Sequence, residues 1–144
     1  MSPNNNEILF LDTVKIDRIY AVTQNWGNAG TDSPLSMQIC SRSNVCCDTG
    51  TMDDPKTGDF DRNHKKTYKG HLIGGCYRFP MINVKSVTVT LHGGDVWSPK
   101  RIKVYLKDKN HWRKEVTWEC DITRYHVFHG NSATKLTNCK DIWA

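Results

Sequence analysis

The stretch "SVTVTLHGGDVWSPKRIKVYLKD", Ser86 to Asp108, is two alternating runs around one glycine-rich turn. The first run sets Val87, Val89 and Leu91 on one face. The second turns Ile102, Val104 and Leu106 inward and Arg101, Lys103, Tyr105 and Lys107 outward. A period of two with apolar residues on one side is the pattern of a half-buried strand. One-sided strands need a facing layer to cover them, so the stretch predicts a strand hairpin inside an all-β antiparallel β-sandwich.

The same period extends outward. "DRIYAVTQ" from Asp17, "LSMQICS" from Leu35, "KTYKGHL" from Lys66 and "EVTWECDI" from Glu115 read as further strands, while helix signals are scarce. Turn-forming clusters separate them at Asn25 to Pro34, Ser43 to Asn63, Gly74-Gly75 and the segment from His92. With 144 residues, no internal repeat and no linker, the chain is expected to be one domain. No apolar run approaches the roughly 20 residues of a membrane-spanning helix.

Six cysteines, Cys40, Cys46, Cys47, Cys76, Cys120 and Cys139, show none of the paired spacings of a zinc site. An even count without metal spacing predicts disulfides and an oxidising compartment, hence a secreted, extracellular protein. The start "MSPNNNEILFLDTVKID" has no basic region and only a short apolar run, so the leader is expected to have been removed before this numbering begins. Adjacent Cys46 and Cys47 must point to different partners, and Cys76 is the expected partner of one of them. The net charge of +5 favours approach to anionic surfaces such as phospholipid headgroups, sulfated glycans or nucleic acid without choosing among them.

Trp26-Gly-Asn-Ala-Gly-Thr-Asp32, then "CCDTGTMDDPKTGDF", then "GGCYRF" ahead of the hairpin, resembles the PLAT domain in the order and spacing of its parts. This is the β-sandwich shared by lipoxygenases, some lipases and polycystin-type receptors. The cysteine-rich version looks like secreted invertebrate members that stand alone. The resemblance covers 14–106. It leaves 1–13 as an N-terminal extension and 107–144 as a cysteine-containing C-terminal extension packed on the same domain.

The resemblance implies a non-catalytic binding module that docks on membranes, lipids or proteins, in some members with Ca2+. Asn28, the Gly30 carbonyl, Thr31 and Asp32 match the family's metal loop, Asp95 stands in a facing loop, and Asp59 resembles a ligand of another loop. Ca2+ is the one candidate cofactor, because a hard cation takes oxygens from flexible loops. Two departures weigh against it: Asn28 replaces a carboxylate, and a family acid falls on Lys66. The competing reading is that Asp32 and Asp95 cap turns.

Trp26 corresponds to a position where membrane-binding members expose aromatics, and an indole suits the headgroup boundary. Packing over the loop's own glycines is its alternative role. Trp97 matches the family's buried tryptophan and is expected in the core. Lys100, Arg101, Lys103, Lys107, Lys109, Arg113 and Lys114, with Trp112 and Tyr105 between them, form a candidate anionic-ligand surface, or else an ordinary solvated face.

There is no Gly-x-Ser-x-Gly elbow, no His-Glu-x-x-His and no nucleic-acid motif; a site on His92 and Asp95 would lack a nucleophile. No enzyme and no nucleic-acid partner are expected. The sequence reads as a secreted non-catalytic module contacting membrane or lipid surfaces, assisted by Ca2+, as in a venom, defence or egg component. The alternative is a protein-interaction module docking a receptor, an inhibitor target or another subunit.

Overall fold

The computed structural model describes residues 14–24, 30–31, 34–52, 65–81, 83–108, 115–122, 127–137 and 139–143. Its strands are β1 (Val14–Thr23), β2 (Leu35–Ser41), β3 (Cys46–Thr51), β4 (Lys65–Lys69), β5 (Val84–Leu91), β6 (Pro99–Asp108), β7 (Glu115–Asp121), β8 (Ala133–Leu136) and β9 (Cys139–Trp143). They build two antiparallel sheets, one five-stranded in the order β4-β1-β6-β7-β9 and one four-stranded in the order β3-β2-β5-β8. The all-β sandwich read from the alternation is the observed architecture.

Alternation explains the core. Val87, Val89 and Leu91 of β5 and Ile102, Val104 and Leu106 of β6 are all buried, joined by Ile16, Ile19, Leu35, Met37 and Ile39 from β1 and β2. The expected hairpin is not what forms. β5 pairs with β2 and β8, β6 pairs with β1 and β7, and the turn from His92 carries the chain from one sheet to the other. Two one-sided runs can cover their apolar faces across the core as well as beside each other, and the periodicity is identical in both cases.

Other differences have local causes. Cys46–Thr51, read as part of a turn cluster, is a strand paired with β2, with Cys47 and Thr49 buried and Cys46, Asp48 and Gly50 exposed. β1 begins earlier than the alternation suggests because a bulge between Ile16 and Arg18 breaks the period. Gly70–Cys76 is a 3-10 segment rather than the end of a strand followed by a turn. At Gly74 (φ 46°), a Cβ would sit 2.2 Å from the Thr49 carbonyl oxygen, so only glycine lets this segment lie against β3.

The chain beyond Leu106 supplies the end of β6, β7 and β9 of the larger sheet and β8 of the smaller. The boundary drawn after Leu106 therefore falls inside β6. All six cysteines are paired, as Cys40–Cys46, Cys47–Cys76 and Cys120–Cys139. The first and third staple residues directly opposite each other in the β2–β3 and β7–β9 ladders, while the second ties the 3-10 segment to β3. Cys46 and Cys47 point to different partners, as adjacent cysteines in a strand must. Among the described residues no helix is long and apolar enough to cross a membrane.

Candidate functional site at one end of the sandwich

Thr23, at the end of β1, and Pro34, just before β2, bound the segment that carries the candidate metal loop. Its ends are clamped to the neighbouring crossing. The Gln24 N–H donates to the Ser98 carbonyl at 3.0 Å, and the His92 N–H donates to the Pro34 carbonyl at 2.7 Å. Within that frame the Thr31 hydroxyl donates to Asp95 Oδ2 at 3.1 Å, and the Val96 N–H donates to Asp95 Oδ1 at 2.8 Å. The two loops matched by resemblance thus meet at one end of the molecule, with the Asp95 carboxylate as the link.

The floor of this end is built by Trp97. It is fully buried, and its indole N–H donates to Thr23 Oγ1 at 2.9 Å, so the polar edge of the ring is satisfied inside the core. Phe128 packs edge-on against it with ring centroids 6.0 Å apart, and the two residues exchange backbone hydrogen bonds. Two residues further, Gly130 lies under the crossing. A Cβ there would come within 2.2 Å of the Gly93 carbonyl oxygen and 2.5 Å of that of Asp95. The segment after β7 is therefore a base for the loop that carries Asp95.

Of the sequence-derived candidates, Gly30 and Asp95 are at this end; Asn28, Asp32, Asp59, Trp26 and Trp112 lie outside the described residues. Asp95 makes the turn-capping contact that the competing reading predicts, through its bond from Val96. Among the described residues no three His, Cys, Asp or Glu side chains are grouped as a metal site. The Lys66 ammonium sits over the Tyr68 ring, 5.2 Å from its centroid.

Arg101 and Lys103 are elsewhere, on the outward face of β6. Arg101 forms a close ion pair with Glu119, and the Lys103 ammonium is 4.0 Å from the same carboxylate. Glu119 is itself buried, held under the two cations. Sequence reasoning gave Glu119 no role, although its register opposite Lys103 follows once β6 and β7 pair. It also missed a contact between Ser36 and His92, whose Oγ and Nε2 are 2.8 Å apart beside the crossing. The outward position of Ser36 in the alternation of β2 was its only visible signal.

No protein-family model matches the sequence, and no curated protein matches it by sequence. Solved structures do match in shape. Alpha-toxin from Clostridium absonum shares 20% identity at a TM-score of 0.58 over 86% of this chain and 31% of the toxin. Alpha-toxin of Clostridium perfringens, from an avian strain, shares 20% at a TM-score of 0.54 over 84% of this chain and 31% of that one. A coral 8R-lipoxygenase, described as calcium-activated through a C2-like domain, shares 17% at 0.61 over 85% of this chain and 16% of the enzyme. The chain thus spans less than a third of each of these proteins. At such identities the likeness shows the fold, which is PLAT-like.

Proposed function

We propose that this PLAT-like domain is a secreted, non-catalytic module that docks on membrane or lipid surfaces through the loop end carrying Thr31 and Asp95. The observation that carries the reading is the hydrogen bond between those two side chains. It joins Thr31 and Asp95, far apart in sequence, at the end floored by the buried Trp97. A docking surface gains affinity when its loops are ordered before contact, because less conformational freedom is lost on binding. Trp26 belongs to the same loop segment and supplies an indole suited to the headgroup boundary. Secretion is supported by the three disulfides, which persist in oxidising surroundings.

The non-catalytic reading is supported by the share of each matched enzyme involved, 31% or less, and by the C2-like region to which the match belongs. Ca2+ is part of the proposal. Asp95 and the Gly30 carbonyl, with Asn28, Asp32 and Asp59, would hold it, since Ca2+ collects about six to eight oxygens. Bound there, the ion would add positive charge to the docking end and bridge the loop surface to anionic headgroups.

Co-sedimentation with phosphatidylserine-containing vesicles tests the reading. The protein should pellet with them, and more of it should do so when Ca2+ is present. Titration calorimetry isolates the ion: Asp95→Ala should abolish the heat of Ca2+ binding. Equal heats for wild type and variant would leave Asp95 as a turn cap only.

A further inference from the structure

A second surface lies on the outward face of the five-stranded sheet, independent of the loop end. There β1 and β6 set cations and tyrosines in a checkerboard, with Arg18 opposite Tyr105 and Tyr20 opposite Lys103. The Arg18 guanidinium is 4.0 Å from the Tyr105 ring centroid, and the Lys103 ammonium 5.9 Å from that of Tyr20. The neighbouring strand adds Lys69 directly opposite Arg18, and β6 adds Lys107 directly opposite Lys15.

These last two pairings are unfavourable by themselves. Like charges directly opposed in an antiparallel ladder destabilise it, and this face holds two such pairs. Some of the charge is balanced. Asp17 is 2.7 Å from Arg18, Glu119 pairs with Arg101 and Lys103, and by register Glu115 and Asp121 stand opposite Lys107 and Arg101. Among the described residues the ladders bring no acid opposite Lys15 or Lys69. The repulsion left there is what a bound polyanion would relieve.

We infer that this face binds a linear sulfated polysaccharide. Same-face side chains repeat about every 6.7 Å along a strand and about 4.8 Å across strands, so the cations form a lattice that meets the repeated anionic groups of a linear chain. Lysine ammoniums donate charge-assisted hydrogen bonds to sulfate oxygens, and half-buried tyrosines offer rings and hydroxyls to the sugar between sulfates. A membrane or a protein core would need apolar anchors. The large apolar side chains that stay exposed among the described residues, Val45 and Tyr77, are in the β2–β3 turn and after the 3-10 segment. The disulfides add the compartment, since sulfated glycans are linear polyanions of the extracellular space.

The test uses the full chain and a fluorescent heparin-derived octasaccharide, with the chemically desulfated octasaccharide as competitor. Lys15→Gln/Lys69→Gln removes from each like-charge pair the member with no acid opposite it; Lys85→Gln/Lys135→Gln removes the same charge from exposed positions of the other sheet. Loss of two charge contacts should weaken binding of the first variant about tenfold, with the second within about twofold of wild type. The melting temperature of the first variant should be equal to wild type or higher, because a repulsion has been removed, and the desulfated competitor should not displace the probe. Equal weakening in both variants, displacement by the desulfated sugar, a lowered melting temperature in the first variant or no binding by wild type would each overturn the inference. So would a loss of phosphatidylserine-vesicle binding in the first variant that exceeds the loss in the second, which would make the face a membrane surface instead.

Discussion

Trp97 shows how one side chain serves both the stability of the core and the loop end proposed to dock. Its ring fills the core while its N–H reaches Thr23, at the last position of β1. Thr23→Val keeps the shape and strands a buried donor, which costs about 1–3 kcal/mol; urea unfolding should show that loss, and an unchanged midpoint would mean the indole finds another acceptor. Glycines give a sharper contrast. Gly94 has nothing within 4 Å of a built Cβ, whereas at Gly130 the Cβ would collide with carbonyl oxygens of Gly93 and Asp95. Gly94→Ala should therefore be nearly neutral, within about 0.5 kcal/mol. Gly130→Ala should both destabilise the fold and weaken vesicle binding, because the loop carrying Asp95 must move. Equal behaviour of the two variants would remove Gly130 from the support of that loop. The burial of Trp97 was legible through the family resemblance. Gly130 was not, because its neighbours are brought in by the fold from more than thirty positions away in sequence.

Among the elements, strands with clean alternation were legible, and β2 was read from end to end. β3 was missed because Cys47 and Thr49 alternate with Asp48 and Gly50, residues whose local preference is for turns. β8 and β9 are short and carry little periodicity, so only their pairing defines them. The crossing after β5 was also beyond the sequence, since alternation sets which face is apolar and not which sheet a strand joins. The disulfides compensate for short elements. On the loop-entropy model, Cys120–Cys139, separated by 19 positions, contributes about 3 kcal/mol and Cys40–Cys46, separated by 6, about 2 kcal/mol. Cys120→Ser/Cys139→Ser should therefore lower stability more than Cys40→Ser/Cys46→Ser in denaturant unfolding. The former should also loosen Phe128 and Gly130, which lie within the closed loop, and with them the docking end. The reverse order would show that native packing around the staples, rather than chain entropy, sets their worth.

At the scale of the whole molecule, two sheets hold a loop surface at one end and a basic lattice on one side. The meeting of the Gly30–Thr31 segment with Asp95 was legible only through resemblance, because nothing in spacing brings together residues 64 apart. Attraction by net charge and insertion of an indole respond differently to salt, which screens charges over about 8 Å at physiological ionic strength and leaves apolar burial almost intact. The most direct measurement is co-sedimentation of wild type, Trp26→Ala and Lys103→Ala with phosphatidylserine-containing vesicles at low and high salt. Docking through the loop end predicts that Trp26→Ala binds more weakly at both salt concentrations, while Lys103→Ala loses binding mainly at low salt. Vesicle binding by Trp26→Ala equal to wild type, or no binding by any of the three, would contradict docking through that end and give the lead to a protein partner.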